Sequence, residues 1–242
     1  MGVDVISSGS SAGNCVVVDN KYMFDCGCSS KKIREKVFMP DIKACFISHS
    51  HTDHSKSVKY VSKFTKVFMT HSTLAELGLK YGMRNIYTLP RNWNYIDIDT
   101  GITAYYFYLD HDVVNVGYIL YDNPARTIVI YITDTASIPE RFEIPVGLYD
   151  YKLYLICEAN YTEEEIKNSD LPEKVVNRIK DTHLSFDNFK KFLIDFIANN
   201  KSRIHQTELH IIHISDRHSD INKIEAIKGI IIPDYNFNTF IH

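Results

Sequence analysis

The sequence predicts an α/β fold, one domain over residues 1–242 with two sheets packed inside flanking helices. Three observations predict it. Short β-branched and aromatic runs recur along the chain, helix-length polar stretches separate many of them, and neither a low-complexity linker nor an internal repeat divides the whole. A chain of 242 residues suits one domain of this class, and 45% hydrophobic against 24% charged residues is a globular balance that excludes a disordered or fibrous protein.

Taken in order, Cys15–Val18 and Lys21–Phe24 read as strands, followed by a helical stretch at 30–37 and a strand at Ala44–Ser48. A helix at 55–64, a strand at Lys66–Thr70 and a helix at 72–81 continue the alternation. Ile102–Leu109, Val116–Tyr121, Thr127–Thr133 and Leu153–Cys157 are four further strands. Helices then thicken, at 163–180 and 185–199, before a strand at Glu208–Ile214 and a helix at 219–228. Thr162 followed by Glu165 has capping-box spacing, and Ser185 is an N-cap for the helix after it.

A formal net charge of −3 gives the whole molecule no general attraction for polyanions, so any nucleic-acid contact needs a local basic patch. Lys56, Lys59, Lys63 and Lys66 recur at helical steps and form either a rail for a phosphate backbone or a solvated face. The N-terminus lacks the cationic start and apolar core of a secretory signal, and no apolar run approaches the ~20 residues of a membrane span. A soluble, cytoplasmic protein is expected. Five Cys, scattered through apolar runs, predict buried free thiols rather than a disulfide framework, and Cys26 and Cys28 read as turn and core packing.

The densest chemistry lies directly after the apolar run Ala44-Cys45-Phe46-Ile47, in Ser48-His49-Ser50-His51-Thr52-Asp53-His54. Three imidazoles and a carboxylate at a strand end form a metal-ligand cluster. Side chains alternate in extended chain, so His49 and His51 point the same way and can grip one ion. Asp53 and His54, where the chain turns into helix, can reach a second.

This H-x-H-x-D-H run resembles the signature of the metallo-β-lactamase superfamily, and the likeness extends along most of the chain. Asp25 in Phe24-Asp25-Cys26-Gly27 resembles the family's early strand-end Asp, which braces the metal loop. His111 in Leu109-Asp110-His111-Asp112 resembles its third-motif His, and Asp134 in Ile132-Thr133-Asp134-Thr135 the Asp that bridges two ions. Cys157-Glu158-Ala159-Asn160, Thr182-His183-Leu184-Ser185 and Ile212-His213-Ile214-Ser215 follow in the order seen in the phosphodiesterase branch, which contains the tRNA 3′-end ribonuclease and the small YycJ-like exonucleases. The loop from Ser7 to Asn14 is similar to the YycJ-like Ser/Gly loop with one extra residue. Tyr161 stands where that pattern tends to show His.

The resemblance implies a four-layer αββα sandwich and a dinuclear-metal phosphodiester hydrolase, a nuclease acting through a metal-bound hydroxide. His49, His51 and His111 would hold the first ion, Asp53, His54 and His213 the second, and Asp134 would bridge them. His183 is implied as the proton donor to the leaving alkoxide, oriented and kept protonated by Glu158, and Asp53 stands with these two among the catalytic residues. The two divalent ions would be Zn or Mn, since imidazole and carboxylate suit both and no Cys is among the implied ligands. Nucleic acid or a small nucleotide is the implied substrate, without a membrane partner, and a homodimer is the implied assembly. A cyclic-mononucleotide phosphodiesterase is the close alternative because it needs a pocket and no basic track. A thiolester or lactam hydrolase shares the fold, but His183 and Glu158 argue against it. His71, His205, His210, His218 and His242 have no motif context and read as surface or structural.

Overall fold

Each of the nine runs above is a strand in the computed structural model, which describes residues 2–138, 142–200, 203, 206–215, 218–220, 222 and 236–242. They are β2 (Cys15–Val18), β3 (Tyr22–Phe24), β4 (Ala44–Phe46), β5 (Lys66–Met69), β8 (Ile102–Leu109), β9 (Asn115–Asp122), β10 (Thr127–Ile132), β11 (Lys152–Glu158) and β12 (Gln206–Ile212). The structure adds four more strands: β1 (Val3–Ser7), β6 (Ile86–Thr88), β7 (Tyr95–Asp99) and β13 (Asn236–Ile241). Asp and Asn, poor strand formers, interrupt β7 and β13.

The chain forms two compact units, one of Met1–Tyr108 with Val113–Tyr118, the other of Leu109–Asp112 with Ile119–His242. A six-stranded sheet in the order β1-β2-β3-β4-β5-β6 lies within the first unit. Its strands β1, β2 and β3 pair antiparallel, and β3 to β6 run parallel. The parallel register sets Phe24, Phe46, Phe68 and Tyr87 side by side, and their rings stack at centroid distances of 5.2, 5.8 and 5.5 Å. Such pairs contribute about 0.5–1.5 kcal/mol each beyond their buried area. The ladder lies at the ends of the strands, next to the chemistry-bearing loops. Cys15, Cys26, Cys28 and Cys45 pack in this unit's core with Val17, Met23 and Ile33. All five cysteines of the chain are buried free thiols, and burial pushes those of Cys26, Cys45 and Cys157 up.

A seven-stranded sheet has the order β13-β12-β11-β10-β9-β8-β7. Strands β10 to β13 run parallel, and β10 and β11 are almost wholly buried, which explains their unbroken apolar sequences. In the second unit Phe186, Phe189, Leu193, Phe196 and Ile197 recur every three or four residues and form the buried stripe of helix α7 (Phe186–Asn200). Ser185 caps that helix as expected, its hydroxyl accepting from the Asn188 amide at 3.2 Å.

Other helices depart from expectation. The stretch 55–64 is two short helices, α2 (Thr52–Ser55) and α3 (Val58–Val61). Ser57 separates them because its amide donates to Cys26 O (2.9 Å) and its hydroxyl to Cys28 O (2.7 Å). The four lysines therefore share no helix face, and Lys66 opens β5 with its ammonium on Ile98 O. The stretch 163–180 is also two helices, α5 (Glu163–Lys167) and α6 (Glu173–Thr182), with Pro172 at the boundary, where it cannot continue the first. Thr162 sits at the N-cap of α5, but its side chain makes no capping bond, so the expected capping box is absent. Helices α1 (Ser30–Lys36) and α4 (His71–Glu76) are capped by Ser29 and Thr70. The helix expected at 219–228 and His205 fall outside the described residues, apart from positions 219, 220 and 222.

Candidate metal-ligand clusters

In the first unit the functional side chains follow the carboxyl ends of β3 and β4, the edge at which open parallel sheets collect polar groups. Asp25 leaves β3 in a left-handed conformation (φ 54°), which turns its buried carboxylate toward the chain leaving β4. There Oδ1 accepts from the Ser48 amide at 2.8 Å, the Ser48 hydroxyl donates to both carboxylate oxygens, and Oδ2 meets His54 Nδ1 at 2.7 Å. A carboxylate on Nδ1 makes that nitrogen the protonated one, so Nε2 of His54 carries the lone pair. The Asn14 amide approaches Nε2 at 2.8 Å as a donor, consistent with that tautomer.

The rings of His51 and His54 lie 4.7 and 4.2 Å from that of His49, and Asp53 Oδ2 is 3.5 Å from His54 Nε2. His49, His51, Asp53 and His54 are thus brought together, His49 and His54 fully buried. Backbone packing holds them there. A Cβ on Gly27 would fall 1.6 Å from Asp53 O, so only glycine lets that loop lie against the metal-motif turn. Asn14 N donates to the same carbonyl at 2.6 Å.

In the second unit Asp134, Glu158 and His213 follow the parallel strands β10, β11 and β12, and Asp134 and His213 are again left-handed (φ 52° and 54°). Ligand atoms of Asp134, Glu158, His183 and His213 all lie within 4.8 Å of one another. Glu158 is the hub. Its Oε1 receives His183 Nδ1 at 2.7 Å and His213 Nδ1 at 3.0 Å, while Oε2 accepts from the amides of Thr135 and Leu184 at 3.1 and 3.4 Å. Burial alone would raise the Glu158 pKa, but the two imidazoles outweigh it and hold the carboxyl below its ordinary value. Burial would likewise lower His183, and the Glu158 charge and hydrogen bond reverse that, so His183 stands raised. Its side chain is 20% exposed, against 2% for His213.

His111 donates from Nδ1 to Thr182 O at 2.9 Å, which leaves Nε2 as the ligand nitrogen, 4.0 Å from Asp134 Oδ2. Asn160 braces His213 through its carbonyl at 2.8 Å. Asp25 takes the Nδ1 proton of His54 and Thr182 O that of His111, which turns their Nε2 atoms toward Asp53 and Asp134 oxygens, part of an imidazole and carboxylate set that fits divalent Zn or Mn. Asn14, Ser48, Asn160 and Thr182 are the supporting groups that sequence reasoning did not assign. For Asn14 the one signal was its place at the end of the Ser/Gly loop.

Residues 9–67 match the metallo-β-lactamase superfamily model. Cleavage and polyadenylation specificity factor subunit 3 of Dictyostelium discoideum is 38% identical over 91 residues, 31% of this chain and only 12% of that much longer protein. Among solved structures, the metallo-β-lactamase fold protein YhfI of Bacillus subtilis superposes with a TM-score of 0.67 at 15% identity, over 99% of this chain and 95% of that one. The short form of human tRNase Z gives 0.59 at 14% identity, over 90% and 94%. At these identities the structural likeness establishes the fold, and the two-sheet α/β architecture expected from the sequence is that fold.

Proposed function

With a metallo-β-lactamase superfamily domain in this chain as the premise, we propose that the protein is a metal-dependent hydrolase that cleaves phosphodiester bonds in nucleic acid. In this reading His49, His51, Asp53 and His54 of the first unit and His111, Asp134 and His213 of the second would hold two divalent ions, Zn or Mn, as the sequence resemblance implies. Bound there, such ions neutralise charge on phosphoryl oxygens and acidify water.

The observation that carries the reading is the buried Glu158 carboxylate at 2.7 Å from the part-exposed His183. With Nδ1 tied to Glu158, whose charge and hydrogen bond outweigh burial and raise the imidazole pKa, His183 can deliver a proton from Nε2 to a departing alkoxide. The alkoxide leaving group of a phosphodiester needs such a donor, and nucleic acid as its source is favoured by the kinds of protein similar to this chain, tRNase Z and a cleavage and polyadenylation factor subunit. A cyclic mononucleotide is the second reading, favoured by the net charge of −3 and by the scatter of the lysine row over separate elements.

The test is a turnover panel with metal-loaded and chelated protein: bis-p-nitrophenyl phosphate, single- and double-stranded DNA, RNA, 3′,5′-cyclic nucleotides, a lactam and a thioester, at two salt concentrations. Metal-dependent polymer cleavage that falls steeply with salt is expected. Turnover of cyclic nucleotides without polymer cleavage selects the second reading, and lactam or thioester turnover alone overturns both.

A further inference from the structure

Because β3 to β6 run parallel, the segments that follow β4, β5 and β6 emerge at one edge of the first sheet. The first is the His49–His54 loop, the second enters α4 at His71, and the third carries Arg91. Ser50, inside the metal motif, donates to Glu76 of α4, which joins the first two. Between the second and third lies a cavity of about 320 Å³, within the range of small-molecule sites.

Its floor is apolar, with Leu89 and Tyr106 buried. The Tyr106 hydroxyl donates to Pro90 O and to Trp93 O (2.9 Å), which fastens the 89–93 loop against β8. Its rim carries Tyr108, 64% exposed, with Val114, His71 and Arg91. No Asp or Glu lines the cavity, and among the described residues no carboxylate pairs with Arg91. A flat exposed ring beside an unneutralised guanidinium, over an apolar floor, suits a planar heterocycle attached to an anion better than it suits a peptide.

We infer that this cavity seats an unpaired nucleobase of a single-stranded nucleic acid, stacked on Tyr108, with Arg91 on the adjoining phosphate. The inference rests on the phosphodiester reading above and names a subsite for its substrate. Its place at the shared strand edge puts that subsite on the first-unit flank of the His49–His54 loop.

Trp93, the single tryptophan of the chain, reports on the pocket because its carbonyl is held by Tyr106. Full-length protein treated with chelator, so that nothing is hydrolysed, is titrated while Trp fluorescence is followed. The probes are a short single-stranded oligodeoxynucleotide, the same strand with abasic sites, its duplex, and an acidic peptide of similar charge. We expect the single strand to bind roughly tenfold more tightly than the abasic strand or the duplex. Tyr108→Ala removes that factor and Tyr108→Phe keeps it, with circular dichroism verifying the fold of each variant. Arg91→Ala flattens the slope of log affinity against log salt by about 0.7. Equal affinity for base-bearing and abasic strands, wild-type binding by Tyr108→Ala, or equal binding of the peptide overturns the inference. Base-dependent binding without metal-dependent cleavage sinks the catalytic reading alone, and cleavage with base-independent binding sinks the pocket alone.

Discussion

Three cluster residues, Asp25, Asp134 and His213, occupy left-handed backbone, which L residues adopt at a cost of about 1–3 kcal/mol. Asp and His are among the residues that tolerate it best, and at all three positions it turns a side chain back over a strand end. His183 carries the proton-transfer reading, so His183→Ala should slow phosphodiester turnover by about 10²–10⁴ while elemental analysis finds the metal content unchanged. Gly27 bears on the metal loop through backbone contact only. Gly27→Ala drives a methyl into Asp53 O and should lower stability by about 1–3 kcal/mol in urea denaturation, with a parallel loss of bound metal. At this scale the grouping of His49, His51, Asp53 and His54 was legible because they fall within six positions of one another. Asn14 was not, since its contact with His54 spans forty positions.

Helix starts show where local rules hold and where tertiary contacts override them. Ser185 caps α7 through its hydroxyl, whereas Thr162 caps nothing at α5. Ser185→Ala should therefore cost about 1 kcal/mol in thermal unfolding, and Thr162→Ala clearly less. Strand β12 carries a pH response. His210 stacks on Phe240 of β13 at 4.7 Å, and its Nδ1 lies 3.1 Å from His242. Burial, with help from His242 and Lys152 and against Glu208, lowers its pKa from 6.5 to about 4. The folded state then binds fewer protons than the unfolded one between those values. Stability should be full above pH 6.5 and fall as pH drops toward 4, by at most about 1.4 kcal/mol per pH unit from this group. Denaturation midpoints of wild type and His210→Phe across that range measure it, and the variant should lose most of the slope. The broken helix at 55–64 had no warning in composition, because Ser57 leaves the helical ladder for carbonyls of a loop distant in sequence.

At the scale of the whole molecule, the backbone crosses between the two units at 108–109, 112–113 and 118–119, so neither unit is a continuous piece of chain. The proposal that residues 1–242 form one cooperative domain predicts a single calorimetric transition with equal calorimetric and van't Hoff enthalpies. Saturating Zn or Mn should move that whole transition upward, since ions that bind only the native state stabilise it by mass action. Two transitions, or a metal-induced shift in part of the chain only, would refute the one-domain proposal. The described residues contain no helix long and apolar enough to cross a membrane.

Nine strands and the imidazole-rich loop were determined by the sequence itself, because β-branched runs and a compact ligand motif are short-range signals that neighbouring residues suffice to encode. Strands β1, β6, β7 and β13, the breaks at Ser57 and Pro172, and the hub at Glu158 were decided by tertiary structure. Glu158 meets His213 because parallel register sets it level with Ile212 at the ends of β11 and β12, while His183 arrives from the end of α6, and a register is a property of paired strands that no single segment contains.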